Sequence, residues 1–238
     1  MNRWILAGCG IALAMTAVAA EAAVLVVRSS GPSAKAFPAG RALPENQTIN
    51  LRGNDVVILL DSRGTRTLRG PGTYSTSASV GSSTSAMSAL SGQSNARRSR
   101  VGAVRGGPTG ATSGRNVWQA DIGRSGNVCI VNPADVGLYR ADSSNARRVT
   151  LTEIGSNREA IVSFAAGQKN AAWPSSLPVA AGNKYQIKGS GSGAVTLNAL
   201  PIAPVPAGLE GLAQSLIRNE CQAQLDVLID TFAGPSAS

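Results

Sequence analysis

The sequence predicts a mainly β protein: a small N-terminal β module, a flexible linker, and an antiparallel β-sandwich with one C-terminal α-helix. Three observations carry that expectation. Short apolar, β-branched runs recur between turn signals from Val24 to Leu200. A Ser-, Gly- and Arg-rich stretch with no apolar period divides them into two groups. Only the last segment of the chain repeats its apolar residues at three- and four-residue steps. Aromatic residues make up only 4% of the 238 residues, which suits thin β layers better than a large aromatic-filled core.

Residues 1–23 read as a secretory signal peptide. Arg3 supplies the positive start, Trp4 to Val18 is almost wholly apolar, and small residues offer an Ala-x-Ala cleavage site near Ala20 to Ala23. The apolar run holds about 15 residues, short of the roughly 20 that span a bilayer, and no second such run follows. The expected destination is therefore the periplasm or the medium, with no transmembrane helix after signal removal. Leu6-Ala7-Gly8-Cys9 also matches a lipobox, which would make Cys9 a lipidated N-terminus. Against that alternative, only Trp4 and Ile5 precede it as apolar core.

Residues 24–75 read as the first β module. VLVV, QTINL and VVILL are strand-like, broken by Gly31-Pro32, Phe37-Pro38, Leu43-Pro44 and Gly53-Asn54-Asp55. Asp61 and Gly64 occupy the first and last positions favoured in a type I turn, so a hairpin is expected there, returning through Thr65 to Leu68. Gly70-Pro71-Gly72 is expected to end that strand. The same glycines could suggest a phosphate loop, but such a loop needs a helix directly afterwards. TYSTSASVGSS follows instead, and Pro71 lacks one of the amides required. The pattern Gly53 to Asp55, Asp61, Gly64, Thr65, Leu68, Gly70, Pro71 and Gly72 resembles FecR-type periplasmic β domains, in particular short secreted α-proteobacterial proteins carrying such a segment. The resemblance covers residues 24–75 alone. It implies an envelope β module and does not imply sigma-factor signalling, because the cytoplasmic segment and membrane helix of those regulators have no counterpart here.

Residues 76–115 form the expected linker. Ten of the residues from Ser75 to Ser99 are Ser, and Arg97, Arg98, Arg100 and Arg105 follow among small residues. Such a stretch buries too little apolar surface to offset its ordering entropy. Residues 116–205 then carry seven candidate strands, VWQADI, NVCIV, VGLYRA, RVTLTEI, EAIVSFAA, KYQIK and AVTLNAL, in a sandwich of immunoglobulin-like proportions. Trp173-Pro174 marks an edge or crossover, since Pro cannot donate to a central ladder. Trp118, Phe164 and Trp173 are the expected core anchors. Residues 206–232 carry Leu209, Leu212, Leu216, Ile217, Leu225, Leu228, Ile229 and Phe232 on one stripe, predicting a single amphipathic helix packed on the sandwich.

Of three cysteines, Cys9 leaves with the signal peptide. Cys129 and Cys221 then most simply form one disulfide in an oxidising compartment, stapling the helix to a strand. A catalytic thiol would want a neighbouring His, and the chain has no His at all. The same absence excludes Ser-His-Asp catalysis and most zinc sites, and no cofactor motif is present. Paired carboxylates remain as a hydrolase alternative, but Asp55, Asp61, Asp121, Asp142, Glu153 and Glu159 lie at turns or beside Arg. Net charge is +9. With nucleic acid not expected outside the cytoplasm, the expected partner is an envelope protein. An anionic glycan or lipid headgroup held by Arg97, Arg98, Arg100 and Arg105 is the alternative.

Overall fold

The computed structural model describes residues 24–77, 115–191 and 193–233. The expected leader and the Arg97, Arg98, Arg100 and Arg105 cluster lie outside the described residues. As the short apolar runs predict, the fold is mainly β, with several antiparallel ladders.

VLVV and VVILL are continuous apolar runs, and the packing explains why. They form β1 (Val24–Ser30) and β4 (Val56–Asp61), the central strands of a four-stranded sheet completed by β2 (Ala42–Leu43) and β5 (Gly64–Arg69), in the order β2-β1-β4-β5. One face carries Val24, Val26, Val57, Leu59 and Leu68 into a core closed by Phe37, Leu43, Ile49 and Leu51. The other face carries Leu25, Val27 and Leu60 into a second cluster. A strand covered on both faces has no polar side to alternate with.

The expected hairpin forms with a two-residue loop, Asp61 pairing with Gly64. The Asp61 carboxylate accepts the Arg63 amide at 2.8 Å, which locks the turn. Beyond Arg69 the structure departs from the sequence reading. Gly70-Pro71-Gly72 ends β5 but leads straight into β6 (Gly72–Ser75), which pairs with β3 (Thr48–Leu51). Gly70 is where chain segments nearly touch: a Cβ there would lie 1.8 Å from the Arg52 carbonyl oxygen, so no other residue fits without backbone movement.

The second region holds two facing sheets. The larger runs β11 (Glu159–Phe164), β10 (Arg147–Glu153), β13 (Lys184–Lys188), β14 (Val195–Pro201), β8 (Gly126–Ile130). The smaller runs β12 (Asn170–Ala172), β9 (Gly137–Tyr139), β7 (Gln119–Asp121). All seven candidate strands are present, and β12 is the edge that Trp173-Pro174 marks. Two ladders are parallel, β14 with β8 and β7 with β9. Loop lengths do not reveal these, because they join strands that are not consecutive. The shared core includes Leu138, Leu151, Leu177, Ile187 and Phe164. Its largest buried side chain is Tyr185, which Trp173 meets edge-on at 5.0 Å between ring centroids. Trp118 is no anchor of this core and packs against the helix-layer cluster instead.

The expected single helix is two: α1 (Gly208–Arg218) and α2 (Gln222–Thr231). Glu220 takes a left-handed conformation, φ 54°, while its amide bonds the Ile217 carbonyl and the Cys221 amide bonds that of Leu216. This is a Schellman stop, a role usually filled by Gly or Asn. Glu at that position carries no such signal, so the break was not readable from composition. The helix pair forms a middle layer. Its Leu209, Leu212, Leu216, Leu225 and Leu228 meet Leu25, Val27 and Leu60 of the N-terminal sheet and Val117, Cys129 and Ile202 of the sandwich.

Candidate functional site

The five-stranded sheet has two edges, and side chains treat them differently. β8 is one edge, and α2 lies against it. Buried Gln224 turns its amide onto that strand: Oε1 accepts the Cys129 amide at 2.6 Å, while Nε2 donates to the Cys129 carbonyl at 2.9 Å and to Val117 at 2.8 Å. A side-chain amide so placed imitates a neighbouring strand and occupies the groups that would otherwise invite one. Cys129 and Cys221 come together there as a disulfide, their Cα atoms 5.9 Å apart. Both are buried, so neither is presented as a thiol for chemistry.

Two residues further along α2, Asp226 ties three parts together. It accepts from Arg124, in the turn before β8, at 2.8 Å and from Arg28 of β1. Burial pushes its carboxyl up, and the hydrogen bonds from Arg124 and Arg28 outweigh that, holding it below the usual carboxylate range. A small cavity of about 90 Å³ lies in this corner, lined by Gln119, Asp121, Arg124, Asn127, Glu220 and Gln224. It is sized for a few waters, not for a substrate.

The hairpin motif serves the same bracing. The Thr65 amide donates to the Phe232 carbonyl at 2.8 Å, and its hydroxyl donates to the Ile229 carbonyl at 3.0 Å. These are carbonyls at the C-terminal end of α2, which lack partners inside the helix. Gly64 allows the approach, because a Cβ would sit 2.7 Å from the Phe232 oxygen and its φ is +131°. Asp61, Gly64, Gly70, Pro71 and Gly72 therefore shape turns and contacts, and none of them forms a nest open to a ligand.

The other carboxylates singled out from the sequence are committed singly. Burial pushes the Asp55 carboxyl up, and bonds from the Ser33 hydroxyl, the Ser33 amide and the Arg52 amide outweigh it and hold the carboxyl low. Asp121 accepts the Gly123 amide and pairs with Arg115 at 3.1 Å. Glu153 accepts from Ser156, Arg158 and Asn183, and the bonds from Ser156 and Arg158 lead in lowering it. Asp142 is lowered chiefly by the Ser144 hydroxyl. Glu159 accepts from the Thr152 hydroxyl across the β10–β11 ladder. Among the described residues no group of three His, Cys, Asp or Glu could hold a metal ion.

Sequence reasoning missed Arg140. It is buried and donates to the carbonyls of Gln168, Asn145 and Ala165, each at 2.7 Å, with its guanidinium over the Phe164 ring. It pins the loops at one end of β11. An Arg inside an apolar strand run was the available signal.

β11 is the opposite edge, and no strand pairs with its outer side, although β12 packs close to it. It pairs with β10 alone, in unbroken register with no bulge. The Glu153 amide bonds the Arg158 carbonyl at 2.9 Å, which fixes the alternation along the ladder. Ala160, Val162 and Phe164 turn their backbone groups to β10, leaving those of Glu159, Ile161 and Ser163 facing outward. Other sheet edges among the described residues are shorter or occupied: β2 has 2 residues, β7 and β12 have 3 each, β3 and β6 have 4 each, and β5 meets Phe232 and Ala233. β11 has 6 residues with no Lys, Pro or Gly, and carries Ile161 at 63% exposure. Edge strands are ordinarily blunted by those devices. Arg97, Arg98, Arg100 and Arg105 take no part in this description, lying outside the described residues.

No family model matches the chain, and neither a curated protein nor a solved structure matches it. The FecR-like resemblance of residues 24–75 thus rests on its turn residues.

Proposed function

We propose that this chain is an exported, non-enzymatic envelope protein that acts in the periplasm by binding another protein chain. Residues 24–75 serve it as a FecR-like β module, and the sandwich provides the binding edge. The observation that carries the reading is β11, an open strand of 6 residues on a sheet whose other edge is closed by Gln224 and a disulfide. Strand addition supplies main-chain hydrogen bonds for affinity and alternate side chains for selectivity. The disulfide suits an oxidising compartment, and no described helix is long and apolar enough to cross a membrane. The carboxylates singled out from the sequence, each engaged by amides, hydroxyls or arginines, favour a scaffold role over hydrolysis.

Site-specific photocrosslinking in cells tests this. A photoreactive residue at Ser163 should give a protein adduct, and one at Gln186 in the middle of the same sheet should give none. Adducts of equal yield at both positions, or none at Ser163, would overturn the proposal.

A further inference from the structure

We infer that the partner strand at β11 is β11 of a second copy of this chain, a deepening that rests on the edge-binding reading above. The sequence of the strand, Glu159-Ala160-Ile161-Val162-Ser163-Phe164, is self-complementary about Ile161. In a two-fold antiparallel pairing centred there, Ile161 faces its own copy, Glu159 faces Ser163, and Ala160 faces Val162. Each pair then joins residues from the same face of the sheet, since opposed residues in an antiparallel ladder point the same way. A centre shifted by half a step would oppose Ile161 to Val162 and set an outward residue against an inward one.

The hydrogen-bond alternation agrees with this register. The residues whose backbone groups face outward are Glu159, Ile161 and Ser163, the set that this pairing joins, giving about six new main-chain bonds. Exposed Ile161 would be covered by its counterpart. An isologous contact of this kind is closed after two copies, so it consumes the open edge without seeding a fibre.

Charge complementarity points to the same occupant. Arg148 of β10 lies opposite Ser163 in the existing ladder. In the dimer, Glu159 of the second copy falls on the far side of Ser163 in the same cross-strand row. Arg148 and that Glu159 are then two strands apart, roughly 10 Å between backbones, a gap their long side chains close over the small Ser. Both are exposed on the outer face of the sheet. The two-fold axis makes the pair twice.

The test is sedimentation equilibrium of the protein without residues 1–23, in reducing-agent-free buffer, with charge-swapped variants. The wild type should be a reversible dimer. Glu159→Arg and Arg148→Glu should each weaken association about tenfold, and the double swap should restore it to within about threefold. In parallel, Ile161→Cys should oxidise to a covalently linked dimer, while Lys188→Cys on the same sheet face should not. A monomer at every concentration, a double swap as weak as the single variants, or equal linking by both cysteines would overturn the inference. A monomer whose Ser163 crosslinks to a different protein overturns the second copy and leaves the edge-binding reading standing. No adduct at Ser163 and no dimer overturn both.

Discussion

In the N-terminal sheet both faces are covered: Val26 and Leu59 point into its own core, while Leu25 and Leu60 point into the helix layer. In the five-stranded sheet both faces are covered only at β8, where Cys129 packs under the helices, and elsewhere the outer face shows Arg148, Lys184, Lys188 and Ile161 to solvent. The first region is therefore built to be finished by another part of the chain, and the second finishes its own core. The difference teaches what a continuous apolar strand implies. It asks for two partners, and here the second one is supplied by a segment more than a hundred and fifty residues later, as the Thr65 to Ile229 contact shows, with a separation of 164.

The widest separation between the regions comes from cutting Leu to Ala on either side. Leu228 in the helix layer and Leu151 in the sandwich core are both fully buried, and each change should cost about 3 kcal/mol. Hydrogen exchange distinguishes them: Leu228→Ala should speed exchange in β1 and β4 while β10 and β13 stay protected, and Leu151→Ala should do the reverse. Unchanged exchange in β1 for Leu228→Ala would break the comparison. Next in size is Gln224→Leu, which strands the Cys129 amide and two carbonyls where water cannot replace the lost amide. Denaturant midpoints should report a loss of about 2 kcal/mol. Gly64→Ala forces a Cβ against the Phe232 oxygen and should lower stability by about 1–2 kcal/mol in the same assay, with exchange rising at the C-terminal end of α2.

The smallest expected effect is electrostatic. Asp226→Asn should cost about 1 kcal/mol near neutral pH and less in high salt. Because the Asp226 carboxyl is held below its ordinary value in the folded protein, its contribution is present above about pH 4 and is lost as pH falls through the lowered value. Wild type and Asp226→Asn should therefore converge in stability on acidification. A gap that widens toward acid would show that the carboxylate does not join the two regions as described.

Much of this fold was legible. Seven of the eight sandwich strands coincide with short apolar runs of the sequence, the Cys129–Cys221 pairing follows from counting, and the turn at Asp61 to Gly64 follows from its residue types. What escaped reading was non-local. The parallel pairing of β8 with β14 leaves no trace in loop length. The stop at Glu220 uses a residue that ordinarily continues a helix. The strand-like role of Gln224 depends on where α2 comes to lie, and nothing in QAQLDVLID announces it. The bare edge at β11 left no mark in its own residues; which strand would be left without a neighbour required the sheet order.

The contact between Thr65 and the end of α2 has a bearing on the order in which the molecule assembles. Strands β1, β4 and β5 are close in sequence, yet the side carrying Leu25, Val27 and Leu60 has nothing to rest on until α1 and α2 dock. Contacts of such long sequence separation close slowly, and an uncovered apolar sheet in the interval is a surface on which chains stick to one another. The helix α2 is thus a latch, and the folding chain is at its most exposed just before it shuts.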